Sequence, residues 1–322
     1  LPYDRVSPHA DVVARRMHVL LRLAAVGKEA EAGPRAIITT ASSILQRVPP
    51  VSAFRGMVRE IKPGSRLDTE ELAGELTRTG YQRAEQVMEP GEFAIRGGLI
   101  DLFPPGHEDP IRLDLFGDEV EALRAFDPIS QRTTGPLKRL RLIPMSEAVL
   151  SRDAISRFRT GYRDLFGSVS GSDPLYDAVS EGQMYPGMEH WLPLFHPGLD
   201  TLLAYVPNAS VSLDHQVDVA IKGRLDLIRD YYENRRAADP VSGGKKLGPD
   251  EGGPTYHPLP PDRLFLDEKE WRRILAERVP IALAPFEAAD IDSQAQDAGG
   301  RLGRDFADIR ARPDANVFEE FK

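Results

Sequence analysis

Two neighbouring stretches of the chain, GEFAIRGGLIDLFPPG (residues 91–106) and PIRLDLFGDEV (residues 110–120), carry arginine, aspartate and phenylalanine among apolar residues. In IRLDLF, Ile111, Leu113 and Leu115 fall on one face of a period-two strand. Arg112, Asp114 and Phe116 must then point the other way. In the preceding stretch Arg96 is followed by Gly97 and Gly98, whose lack of side chains leaves the guanidinium accessible. If the two strands pair, Arg96, Arg112 and Phe116 share that face. Guanidinium groups and aromatic rings suit recognition better than bond-making: the first bonds carboxylates in two-pronged fashion, and the second buries a large apolar area when covered. Pattern alone leaves two readings open. Either this is an uncovered recognition face, or Phe116 packs beneath a helix while the charges solvate an edge.

Other chemistries lack the residues they need. Nucleotide binding through a phosphate loop requires G-x-x-x-x-G-K-[ST], and no such run occurs. Ser242-Gly243-Gly244-Lys245-Lys246 has neither a preceding strand nor a following hydroxyl residue, so it reads as a linker. LFLDE (264–268) resembles an acidic, magnesium-positioning strand end, but Asp267 and Glu270 are better placed to cap the helix that follows. The histidines are scattered: His190 and His196 stand six apart, with Glu189 adjacent, and no zinc-ligand spacing appears. There is no G-x-S-x-G elbow. Asp118 and Glu119 read as turn residues. No catalytic residue, cofactor site or metal site is expected.

The composition sets outer limits. The chain has 322 residues, 41% hydrophobic and 28% charged, as in ordinary globular proteins. It has no cysteine, which excludes disulfides and thiolate metal sites and suits a reducing compartment. No apolar run reaches the roughly 18 residues that span a bilayer, so no membrane is expected, and LPYDRVSPHADVV does not read as a signal peptide. A net charge of −9 argues against a chain that clamps nucleic acid as a whole. Lys138, Arg139, Arg141, Arg152, Arg157, Arg159 and Arg163 form a basic neighbourhood, but Glu147 and Asp153 interrupt it, and a solvated face is the expectation.

These residues must be positioned by three units of mixed α/β and α+β character. The first spans 1–57 with 263–322. It opens on a helix over residues 7–24 capped by Ser7, followed by the β-branched run RAIITT as a buried strand and by ASSILQRV as a helix ending at Pro49. One such strand cannot make a sheet, so its partners lie far along the chain or the sequence begins in mid-domain. LFLDEKEWRRIL and VPIAL are candidates to complete it. The second unit, 58–144, has VREIK as a strand and DTEELAGELTRTGY as a helix with Asp68 as N-cap. FAIRGGLIDLF, IRLDLF, VEALRAF and LKRLRLI follow as four strands of an antiparallel sheet. The third unit, 145–262, holds a helix from Arg152 to Phe166, strand-like LLAYVP and VSL, and a long helix from VDVAIKGRL. The Gly/Pro-rich run ADPVSGGKKLGPDEGGPTYHPLPP is expected to be a mobile loop.

GEFAIRGGLIDLFP, followed by IRLDLFGDEVEALRAFDPISQRT, resembles the middle domain shared by the excision-repair protein UvrB and the Mfd family of transcription-repair coupling factors. LPYDRVSPH, TTASSILQRV, QVMEPGEFAIRG, FDPISQRT and MEHWLPLF are similar to Mfd. UvrB would show a tyrosine-rich stretch near the first of these and a PLTG-type ending after FDP. The likeness is strong through residue 145, looser to about 200 and thin beyond. It implies a degenerate helicase-like α/β domain, incomplete at its start, into which the UvrB-type middle domain and an irregular α/β unit are inserted.

It further implies a non-enzymatic module that docks UvrA and so brings repair to a stalled RNA polymerase. The family's docking positions match Arg96, Arg112, Asp114 and Phe116. UvrB carries a further arginine two residues before the position of Arg96, where this chain has Ala94. ATP, magnesium, RNA polymerase and double-stranded DNA belong, in this family, to parts of the full-length protein beyond this module. A bacterial cytoplasm is the implied setting. The alternatives are a UvrB-type ATP-dependent repair enzyme, for which a phosphate loop is missing, and a DNA-binding module using Arg152 to Arg163. On the docking reading, Arg112→Ala or Phe116→Ala abolishes UvrA binding and leaves thermal melting nearly unchanged.

Overall fold

The computed structural model describes residues 2–4, 6–25, 36–167, 173–237, 256–285, 296 and 299. In chain order the elements are α1 (Ala10–Ala24), α2 (Ala41–Ile44), β1 (Arg59–Ile61), α3 (Thr69–Arg78), β2 (Gln82–Arg83), β3 (Glu92–Arg96), β4 (Leu99–Leu102), β5 (Ile111–Phe116), β6 (Glu119–Phe126), β7 (Thr133–Leu137) and β8 (Leu140–Leu142). They continue with α4 (Arg152–Phe166), α5 (Pro174–Ser180), β9 (Ser212–Asp214), α6 (Val217–Ala237), α7 (Pro261–Leu264), α8 (Glu268–Ala276) and β10 (Ile281–Leu283). The fold is mixed α/β, with antiparallel and parallel strand pairs.

The site rests on a six-stranded sheet of order β2-β3-β4-β5-β6-β7, antiparallel except for the β2–β3 pair. One face is apolar, as alternation requires: Phe93, Ile100, Leu102, Ile111, Leu113, Val120 and Leu123 are all buried there. Against that core lie Leu72 and Leu76 of α3 and Ala14 of α1. The Asp68 carboxylate caps α3 by accepting from the Glu70 and Glu71 amides, satisfying two of the donors that every helix start leaves unpaired. The antiparallel pair β1–β8 stands where the chain enters and leaves this unit. Tyr81 secures the exit by donating its hydroxyl to the Ile143 carbonyl at 2.7 Å.

Three further apolar clusters hold the flanks. One gathers Tyr3, α4, α5, the 3-10 segment Met188–Leu194, Tyr256 and Leu259. A second joins Met17, Leu20 and Leu21 of α1 to Val48, Phe54 and Tyr205. The third packs α2 against α6 and α8 through Leu45, Ile221, Leu266 and Trp271.

Several local expectations change. FAIRGGLIDLF is a hairpin of two strands, because Gly97 (φ 58°) turns the chain. LKRLRLI contributes β8, which pairs with β1 and not with the large sheet. Residues 36–40 of RAIITT form no strand, and Ile38 is 97% exposed. β10 pairs in parallel with β9 instead. Strand propensity is expressed only where a neighbour offers ladder groups, and none does so for residues 36–40 among the described residues. ASSILQRV is helical only over α2; beyond it Gln46 and Val48 bridge to Phe265 and Asp200. Leu202–Tyr205 is a 3-10 turn, and α1 is capped by His9. Of the expected mobile loop, residues 238–255, including Ser242 to Lys246, lie outside the described residues. Tyr256 and Leu259 at its end are buried in the first cluster.

Candidate recognition face

The outer face of the sheet is built in rows by strand register. Arg96, Leu99, Asp114 and Ala122 lie side by side across β3 to β6. The next row holds Ala94, Asp101, Arg112 and Arg124. Beyond the Arg96 row, at the end of the sheet that carries both hairpin turns, Phe116 pairs with Glu119 across the turn at Gly117 (φ 63°). The bulge between β5 and β6 leaves Glu121 without a partner on β5, so alternation along β5 survives and Phe116 stays on the same face as Arg112 and Asp114. Arg96 and Arg112 share this face although their strands do not pair: β4 stands between them.

The structure thus brings all four sequence-predicted residues onto one face. Phe116 is 77% exposed and makes no aromatic pair among the described residues, which removes the reading in which it packs beneath a helix. Arg112 departs from the expected picture. Its side chain is 17% exposed, with Nε 2.7 Å from Asp101 Oδ1 and Nη2 2.8 Å from Asp101 Oδ2. Its guanidinium also lies 4.7 Å from the centroid of the Phe126 ring. Hydrogen bonding to Asp101 raises the Arg112 pKa above its ordinary value, against the opposing effect of burial. Arg96 donates Nη2 to Asp101 Oδ2 at 2.6 Å and stays 49% exposed. Asp114 is mostly covered and lies 2.8 Å from Arg124 Nη1.

Two charged residues of this face escaped the sequence. Asp101 is 1% exposed yet belongs to the outer face, and it anchors both arginines. Arg124 pairs with Asp114. The signal for Asp101 was the Gly-Gly turn: once β3 and β4 are a hairpin, Asp101 falls opposite Ala94 and beside Arg112, whereas Arg124 follows from the β5–β6 hairpin, which sets it opposite Arg112. Around them, Val87, Ala94, Phe103 and Phe126 form a small apolar cluster. The Gln131 side chain donates to the carbonyls of Val87 and Pro128, holding the β6–β7 loop against that cluster.

Elsewhere several polar residues bond within the fold. Arg157 of α4 donates to the Phe195 carbonyl at 2.7 Å, and Arg163 donates to the Arg159 carbonyl one turn back. Asp267 and Glu270 form a reciprocal capping box on α8. His190 bonds to the Tyr256 hydroxyl, and burial lowers its pKa to about 4. Among the described residues no group of three or more His, Asp or Glu side chains is arranged to hold a metal ion, and no helix is long and apolar enough to cross a membrane.

Residues 60–147, which contain the whole six-stranded sheet, match the UvrB interaction domain family. The chain is 34% identical over 279 residues to the transcription-repair-coupling factor of Escherichia coli, covering 85% of the chain and 23% of that protein. The Haemophilus influenzae factor is 32% identical over 310 residues, covering 94% and 26%. The Bacillus subtilis factor is 27% identical over 195 residues, covering 56% and 17%. The chain spans about a quarter of the length of the first two relatives. These likenesses support an amino-terminal module of the transcription-repair coupling factors that carries a UvrB interaction domain.

Proposed function

We propose that the chain is a docking module for transcription-coupled DNA repair, and that the outer face of its six-stranded sheet recruits UvrA. The observation that carries this reading is an uncovered phenylalanine, Phe116, held on the same face and at the same end of the sheet as Arg96, within a domain of the UvrB interaction family. A large ring left in water at a fixed position gains its stabilisation only when a partner covers it. In this reading Arg96, Arg112, Asp114 and Phe116 form the UvrA contact, and the module takes no part in catalysis. The flanking α/β elements are remnants of a helicase-like domain that lacks a phosphate loop. In the whole protein, contacts with RNA polymerase and double-stranded DNA, and the use of ATP and magnesium, belong to other segments, and the setting is the bacterial cytoplasm.

Phe116→Ala provides the cleanest test, since the ring is largely exposed and stacks on no other ring among the described residues. Co-elution with purified UvrA should weaken by at least roughly five- to thirtyfold, the loss of a hot-spot residue. The melting temperature should stay within about 2 °C, as for other exposed substitutions. Undiminished co-elution of this variant would reject the assigned face.

A further inference from the structure

We infer that Asp101 is the positioning residue of the docking face, holding the Arg96 and Arg112 guanidinium groups as one preformed unit. The inference rests on the UvrA-docking reading and adds a residue to it. A carboxylate with 1% exposure is costly to bury unless its oxygens are fully used. Here Oδ1 receives Arg112 Nε, and Oδ2 receives both Arg112 Nη2 and Arg96 Nη2. The two-pronged grip fixes the plane of the Arg112 guanidinium, and the Phe126 ring lies 4.7 Å from its carbon. On the far side, Arg112 Nη1 is 3.5 Å from the Gln131 carbonyl.

Arg96 is treated differently. It commits one nitrogen to Asp101 and leaves about half of its side chain at the surface. Asp101 therefore sorts the two cations into separate tasks. Arg112 becomes a fixed wall of the face, and Arg96 becomes a half-tethered donor at the end of the sheet that also carries Phe116. Long side chains immobilised before association lose less freedom during it, so this arrangement raises affinity without adding a contact.

The test uses the whole chain, purified UvrA and equilibrium titration. Asp101→Asn keeps the shape but removes the charge and one acceptor, and binding should weaken about tenfold through the loss of arginine order. Coupling separates this role from a merely structural one. In an Arg96→Ala background, Asp101→Asn should add a smaller loss than it causes alone, while in a Phe116→Ala background the two losses should multiply. Equal additional losses in both backgrounds would overturn the positioning role. If Asp101→Asn unfolds at the assay temperature, Arg112→Lys serves instead: it keeps the cation but not the two-pronged grip, and similar weakening is expected. Unchanged affinity of that variant would equally overturn it. Failure of the wild-type chain to bind UvrA would instead reject docking itself, whereas normal wild-type binding with unaffected variants rejects only the role of Asp101.

Discussion

Arg112 lies between the Phe126 ring and the Asp101 carboxylate, with most of its side chain out of water. Truncating it does two things at once: it removes a docking position and it leaves a buried carboxylate with Arg96 as its remaining cation. Arg112→Ala should therefore lower unfolding free energy by about 2–3 kcal/mol in urea titrations, the range for breaking one side of a buried ion pair. Phe116→Ala should cost less than about 0.5 kcal/mol in the same titration. Unchanged melting is therefore expected for Phe116→Ala, and a loss for Arg112→Ala. Alternation alone marked Arg112 as outward, and that was right for direction. It could not reveal depth, because depth depends on Asp101 and Phe126, which the sheet delivers from other strands.

Two hairpins of the same design position the face. Arg96 and Phe116 each stand immediately before a glycine with φ near +60°, Gly97 and Gly117, at the same end of the sheet. Left-handed backbone at that position favours glycine over any residue with a Cβ. Gly98 is needed for a different reason. A Cβ there would sit 2.8 Å from the Leu115 carbonyl oxygen, and the Leu115 amide donates to the Gly98 carbonyl at 2.7 Å. Gly98→Ala must push β4 from β5, so a loss of about 1–3 kcal/mol is expected by thermal melting, with weaker UvrA binding because Arg96 moves relative to Phe116. The helices α3, α4 and α6 were legible in the sequence, α3 from its Asp68 cap. RAIITT and LLAYVP were not, since β-branched and apolar runs become strands only if the fold supplies a pairing partner.

At the scale of the molecule, α1 ties the sheet unit to its flanks. Its Ala14 enters the sheet core, while Met17, Leu20 and Leu21 enter the neighbouring cluster. His18 of α1 packs so closely on Gly106 that a Cβ there would overlap the imidazole. Burial lowers the pKa of His18, with help from Arg22 and Arg141, and burial likewise lowers those of His107, His190 and His196. The unfolded chain therefore binds more protons than the folded one once pH drops below about 6.5. Stability should fall as pH drops from there towards 4. His190, with a pKa near 4, contributes about 2–3 kcal/mol of that loss after allowance for its partial exposure. Denaturant titrations at a series of pH values should show the decline, and a His190→Gln variant should show a shallower one.

What the sequence determined by itself was direction and kinship. A period of two in IRLDLF sends Arg112, Asp114 and Phe116 to one side whatever surrounds them, because successive side chains of a strand must alternate. The run around it carries the likeness to the UvrB-type domain. Only the tertiary structure decided which of those outward residues meets water. That outcome depends on register between strands brought together by the Gly97–Gly98 turn, which sets Asp101 beneath two arginines and leaves Phe116 bare. Burial is a property of neighbours, and those neighbours are chosen by folding over distances that a local pattern does not encode.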